Sequence, residues 1–356
     1  MSVLTISFLD VKQGDSALFD LPGGHFGVID FGNPAAGESV VAPEVQARVA
    51  KGDTFLFAAV THFDDDHAGG LPSVLRVREP KYFMLPNIGL DLFEEWVRRL
   101  TGKPSVPSID AVRAAQVRVQ TRRMVTHSPL VFREVPGIRF FALSPDHHFE
   151  NELHNLLMTS GSAPPSAEKL RSMRNRGSLA LYVDPDGADS LILLAEAESD
   201  QYNNIWRVVQ QDIHRFYRSP MVVKLSHHGS RHNNTAETFQ YFGEPGTLMV
   251  SSAGGRYSHP DVTVVEQVQA VGAMPACTNL GTGCSMIMAM PARPPDIAAW
   301  RAANASLLKV MPSSNPKCYG SIGVCFDGPQ TTADFGSVQA RCPFGGPKAQ
   351  RLLLKR

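Results

Sequence analysis

Two histidines and three carboxylates fall within six consecutive positions, His62-Phe63-Asp64-Asp65-Asp66-His67, behind the apolar run Thr54 to Val60 and ahead of Gly69-Gly70. Imidazoles and carboxylates at this density are the donors that divalent metal ions take. The apolar run reads as a buried strand. Side chains alternate along an extended chain, so His62 and Asp64 leave its end on the same side and can share one ion. Asp66 and His67 fall where the chain turns toward a helix, placed to meet a second ion, so the spacing predicts two metals. A solvated acidic turn with a helix cap would account for one Asp and leave both histidines without a role.

A second cluster, Ser226-His227-His228-Gly229-Ser230-Arg231-His232, follows another strand-like run, Met221 to Leu225. His228 reads either as a ligand or as a hydrogen-bonded neighbour of the site. His259 precedes Pro260, which biases it to an extended conformation. It is either a proton donor or phosphate contact, or a satisfied structural histidine. Four basic residues within eight, Lys169, Arg171, Arg174 and Arg176, form the most concentrated positive segment of the chain. They read as a solvated helix face or as a phosphate clamp.

The elements that must position these residues are strands with period-two or continuous apolar pattern: Val3 to Leu9, Ser16 to Leu21, Gly27 to Asp30, Thr54 to Thr61, Gly137 to Leu143, Ser178 to Val183, Ser190 to Ala195, Met221 to Leu225, Thr247 to Ser251 and Cys318 to Phe326. The stretch Asp91 to Leu100 reads as an amphipathic helix stopped at Gly102, with Trp96 in its apolar stripe, and Asp261 to Val271 as a further helix. Residues 160–166 read as a loop. Strands alternating with helices, with candidate site residues repeatedly at strand ends, describe an α/β enzyme whose loops carry the chemistry.

At 356 residues the chain exceeds a typical single domain. Lys plus Arg and Asp plus Glu both number 34, so any nucleic-acid contact must come from local patches. The start Met1 to Leu9 alternates like a strand and lacks the features of a signal peptide. No run of about 18 apolar residues suggests a membrane span. Five cysteines without a Cys-x-x-Cys pair fit reduced thiols, so a cytoplasmic location is expected and a membrane is not expected as a partner. Cys318, Cys325 and Cys342 are widely spaced for a structural zinc site.

The segment His62 to His67, as His-x-Asp-x-Asp-His, resembles the His-x-His-x-Asp-His motif of the metallo-β-lactamase fold superfamily. Leu9-Asp10-Val11-Lys12-Gln13-Gly14-Asp15, Ile29-Asp30-Phe31-Gly32, Asn175-Arg176-Gly177-Ser178-Leu179, Leu225-Ser226-His227-His228-Gly229-Ser230 and Ser258-His259-Pro260 follow in the order of one branch, the soluble hydrolase domain of ComEC-type competence proteins. The match spans residues 3–290. It implies a four-layer αββα sandwich over residues 1–290, leaving 291–356 as a C-terminal extension packing on it.

Carried over residue by residue, the resemblance implies that His62 and Asp64 bind one ion, and that Asp66, His67 and His227 bind another. Glu196 stands where the branch has a bridging aspartate after glycine, here Ala195-Glu196. Asn175 and Ser178 stand where a third motif usually supplies histidine, which leaves the first ion short of nitrogen ligands. Asp30 would hold the ligands from behind, and Asp15 either does similar work or closes the turn after Gln13-Gly14. Carboxylates in place of imidazoles favour Mn²⁺ or Mg²⁺ more than an all-histidine site would, with Zn²⁺ still open.

The implied reaction is hydrolysis by metal-activated water, with Asp66, His228 and His259 as the catalytic set and the basic segment, Arg174 and Arg176 included, offsetting charge on a phosphodiester. Nucleic acid or a nucleotide is the implied substrate class. Competing readings are a metal-binding or degenerate interaction module, and a hydrolase of carboxylic esters, lactones or thioesters. The sequence leaves protein partners and oligomeric state open.

Overall fold

The computed structural model describes residues 3–11, 14–32, 39–102, 106–126, 128–146, 148–158, 166–252, 259–278, 322–327, 330–334 and 351–354. Lys12, Gln13, Ser258, most of the 160–166 loop, Cys284, Cys318 and Cys342 lie outside the described residues. So does residue 279 through residue 321.

The strands are β1 (Leu4–Phe8), β2 (Ala17–Leu21), β3 (His25–Ile29), β4 (Thr54–Ala59), β5 (Tyr82–Pro86), β6 (Gln120–Met124), β7 (Leu130–Val131), β8 (Ile138–Ser144), β9 (Ala180–Pro185), β10 (Leu191–Leu193), β11 (Val222–Lys224), β12 (Leu248–Ser251), β13 (Met274–Cys277), β14 (Ile322–Asp327), β15 (Gln330–Asp334) and β16 (Arg351–Leu354). They form two sheets, in the orders β16-β15-β14-β1-β2-β3-β4-β5-β6 and β13-β12-β11-β10-β9-β8-β7. Of the segment read as an extension, β14 pairs with β1 and continues the first sheet.

The two sheets share a plan. In the first, β1, β2 and β3 run antiparallel and β4, β5 and β6 then continue parallel to β3. In the second, β8, β9 and β10 run antiparallel and β11, β12 and β13 continue parallel to β10. No repeat is visible in the sequence.

Three apolar clusters define four layers. One lies between the sheets, with Ile6, Phe19, Phe57, Phe140, Leu181 and Val222 among its members. Phe57 meets Phe132 and Phe140 at ring distances of 5.6 and 5.3 Å. Truncating such a buried ring costs about 3–5 kcal/mol. Gly27 has no side chain because Phe57 takes the space, its ring 2.3 Å from where a Cβ would sit.

The second cluster covers the outer face of the first sheet with α1 (Val41–Ala50), α2 (Asp65–Ala68), α3 (Leu71–Val77), α4 (Leu90–Thr101), α5 (Pro107–Gln116), α6 (Phe149–Met158) and α7 (Ala167–Arg176). The third covers the second sheet with α8 (Tyr202–Asp212), α9 (Ala236–Phe242) and α10 (Val262–Ala270). The αββα sandwich implied by the resemblance is therefore the observed architecture. Trp96 is fully buried, and its Nε1 donates to Leu170 O at 3.0 Å, which ties α4 to α7. No helix among the described residues is long and apolar enough to cross a membrane.

Candidate metal centre

The site forms where strands of both sheets end. Beyond β3, Asp30 takes a left-handed backbone conformation (φ 59°), and its amide donates to Ala59 O at 3.0 Å. Its carboxylate accepts from Thr61 N at 2.9 Å and Thr61 Oγ1 at 2.7 Å, and lies 2.8 Å from His67 Nδ1. A carboxylate can only accept, so Nδ1 carries the hydrogen and Nε2 is left to face the site. That nitrogen lies 3.1 Å from Glu196 Oε1. Gly14 (φ 107°) passes so close to α2 that a Cβ would sit 1.7 Å from Asp66 O. The next amide, that of Asp15, donates to the same oxygen at 3.2 Å.

The second sheet contributes its residues through equally constrained backbone. Ala195, His227 and His228 have φ of 48°, 46° and 56°, and with Asp30 they are the non-glycine residues of positive φ among the described residues. Each costs about 1–2 kcal/mol in a region disfavoured for L-residues, and strain of this kind gathers at functional sites. The His227 amide donates to Ala195 O at 2.8 Å, and the Glu196 amide donates to Ser178 Oγ at 3.1 Å. His228 spans the seam between the sheets, with Nδ1 3.0 Å from Asp15 Oδ1 and Nε2 3.3 Å from Asp66 Oδ2.

Lys224 follows Val222 by two positions, so alternation points it into the inter-sheet layer, where Nζ donates to Asp15 Oδ2 at 2.8 Å. Ser252 Oγ contacts both Asp15 and His228 Nδ1.

These residues fit a divalent ion. Ligand atoms of His62, Asp66 and His67 lie within 4.8 Å of one another, as do those of Asp15, His67 and His228. His227 Nδ1 is buried with no hydrogen bond among the described residues; it lies 3.2 Å from Glu196 Oε2 but outside hydrogen-bond geometry. Imidazole and carboxylate suit Zn²⁺ and Mn²⁺ alike.

The electrostatics match this arrangement. Burial opposes ionisation throughout, yet the ion pairs prevail. Lys224 and His228 hold Asp15 well below the usual carboxylate range. His228 and His67 do the same for Asp66, and His227 and His67 hold Glu196 at about 2. Asp30 and Glu196 push the His67 imidazole well above its ordinary value, while Asp15 and Asp66 push His228 to about 9. An ion held by His62, Asp66 and His67 would displace the proton on His67 Nε2. His259 differs: burial, with His228 and His227 nearby, pushes it down to about 4, so at neutral pH it accepts a proton rather than giving one. Burial likewise keeps His227 below its ordinary value, in the neutral form that binds metals.

The structure brings His62, Asp66, His67, Glu196, His227, His228, Asp15 and Asp30 together, and His259 stands beside them, its ring centre 5.9 Å from that of His227. Glu196 and His227, read as ligands, lie outside both converging sets, and so does Asp64. Its Oδ2 is 2.9 Å from Arg174 Nη1 and 3.7 Å from His62 Nε2. Ser178 supports Glu196 through its hydroxyl, and Leu179 N donates to Thr61 O at 2.9 Å, seating this stretch against the first motif. Asn175 Oδ1 is buried with no partner among the described residues. Of the basic segment, Arg174 reaches the site, whereas Arg176 turns to Glu152 at 3.4 Å.

Lys224, Ser252 and Thr61 are site residues that sequence reasoning passes over. For Lys224 the signal is a charge inside the apolar run Met221 to Leu225.

The sheets, their helical covers and the candidate ligands at the strand ends make a four-layer αββα fold, the architecture that the resemblance implies. No protein-family model and no curated protein sequence matches the chain. Among solved structures it is similar to unliganded yeast PDE1, with a TM-score of 0.46 and 11% identity over 79% of this chain and 99% of that one. It is also similar to Igni18, a metallo hydrolase from Ignicoccus hospitalis, with a TM-score of 0.43 and 13% identity over 78% and 96%. An isothiocyanate hydrolase from Delia radicum gut bacteria gives a TM-score of 0.35 and 10% identity over 85% and 92%. Likeness this distant says nothing about substrate.

Proposed function

We propose that this protein is a metal-dependent hydrolase that cleaves phosphodiester bonds, a nuclease or nucleotide phosphodiesterase of the ComEC-type branch. The observation that carries this reading is the convergence of His62, Asp66 and His67, with the His67 ring fixed from behind by Asp30. His62, Asp66 and His67 would hold a divalent ion, Mn²⁺ or Zn²⁺ before Mg²⁺, and such an ion would supply Lewis acidity that lowers the pKa of water.

The remaining work falls to side chains of this chain. Asp30 fixes the tautomer and plane of His67. Glu196, buried and ionised, faces His67 and His227 from the second sheet. His228, 3.3 Å from Asp66, is placed to hand a proton to a leaving oxygen, with Asp15 behind it. Arg174, half-buried at the rim, offers a fixed positive charge to a phosphate.

The test is incubation of the purified full chain with single- and double-stranded DNA, RNA and cyclic nucleotides under Mn²⁺, Zn²⁺ or Mg²⁺. Cleavage should require the ion, stop with chelator, and vanish in Asp66→Ala. No cleavage beyond that control on any substrate removes the phosphodiesterase reading. The pairing of Asp64 with Arg174 favours one alternative, a degenerate, near-metal-free interaction module without catalysis; less than one equivalent of metal after mild purification, with no activity on reloading, would select it.

A further inference from the structure

The two converging ligand sets share His67. Its Nδ1 is committed to Asp30 at 2.8 Å, so only Nε2 remains, and one nitrogen lone pair binds one ion. The sets are therefore alternatives. The resemblance gives a second ion to Asp64 beside His62, and there the structure places a guanidinium. Arg174 Nη1 is 2.9 Å from Asp64 Oδ2, the same oxygen that lies 3.7 Å from His62 Nε2. A guanidinium stays charged at any working pH, so it competes with a metal at all of them. Where a third motif would add an imidazole, Asn175 and Ser178 stand, and the Ser178 hydroxyl is engaged by the Glu196 amide. Lys224 on Asp15 and Arg174 on Asp64 together carry the charge of one divalent ion.

We propose that Arg174 takes the place of a second metal: the centre holds one divalent ion, with the guanidinium fixed on Asp64 as its other positive charge. This rests on the metal-dependent reading above.

Mn²⁺ titration of the full chain, followed by elemental analysis and electron paramagnetic resonance, tests it. The expected result is one equivalent per chain with the spectrum of an isolated Mn²⁺. Arg174→Ala frees Asp64 and should take up a second equivalent with an exchange-coupled spectrum, while Arg174→Lys stays at one. Two equivalents or a coupled pair in the unaltered protein overturns the proposal, as does Arg174→Ala remaining at one, or no binding at all. If Arg174→Ala does not fold, Asp64→Asn decides. One equivalent should still bind, and loss of that equivalent makes Asp64 a ligand and overturns the idea. One equivalent without hydrolysis of any substrate leaves this inference standing and removes the hydrolase reading; two equivalents with hydrolysis does the reverse.

Discussion

Asp30 serves three donors with two oxygens, and one of those donors is the ring nitrogen that aims His67. Asp30→Asn replaces an acceptor by an amide whose NH₂ cannot accept from Nδ1. The expected outcome is a loss of about 10- to 100-fold in Mn²⁺ or Zn²⁺ affinity, measured by chelator competition. An affinity within twofold of the original would reduce Asp30 to a brace for the strand end. At this scale much of the site is legible: His62, Asp66, His67, His227 and Asp30 announce themselves because polar donors at the end of apolar strands have few structural reasons to be there. The partners are not legible. Asp15 and Lys224 are 209 positions apart, and no local pattern says that a lysine inside an apolar run will find that carboxylate.

Elements position the site through equivalent turns in the two sheets. Asp30 and His62 lie beyond β3 and β4, where pairing changes from antiparallel to parallel. Glu196 and His227 lie beyond β10 and β11, at the same change in the second sheet. These strands are readable as apolar runs, as are α4 and α10 from their caps and stripes. The helix α8 is harder, although Tyr202, Ile205, Val208 and Val209 line its buried side, because the polar residues of its first turn mask the period. The contact between the Gly14 turn and α2 is equally hidden from pattern, since it depends on backbone touching backbone. Gly14→Ala places a methyl group against Asp66 O and strains a φ of 107°. It is expected to destabilise by at least about 1–3 kcal/mol and to weaken metal binding along with folding. Chemical denaturation with and without Mn²⁺ checks both; an alanine variant with unchanged stability and affinity would mean that α2 can shift freely.

Across the whole molecule, the site is a seam charged with paired acids and imidazoles, and its pH response follows. The contribution of His228, raised from 6.5 to about 9, is complete below about 6.5 and lost as pH rises toward 9. That of Glu196, lowered from 4.5 to about 2, is complete above about 4.5 and lost as pH falls toward 2. His259 and His227, held below their ordinary value, cost stability as pH falls below about 6.5, so metal-free protein should have its highest Tm near pH 6.5, and the increase in Tm on adding metal should grow from pH 6.5 to 9, as differential scanning calorimetry would show. A metal-free Tm still rising from pH 7 to 9 would contradict the paired imidazolium. The same seam has a kinetic consequence. His67 meets Glu196 across 129 positions, Asp66 meets His228 across 162, and Asp15 meets Ser252 across 237. Loops that long close only after most of the chain is ordered, so Glu196 and His228 join the seam late in folding. His62, Asp66 and His67 are near in sequence, but only the finished seam fixes them, and an ion acts mainly as a latch on it. Stopped-flow measurements should find refolding equally fast with or without Mn²⁺, and unfolding slowed by the ion at least tenfold.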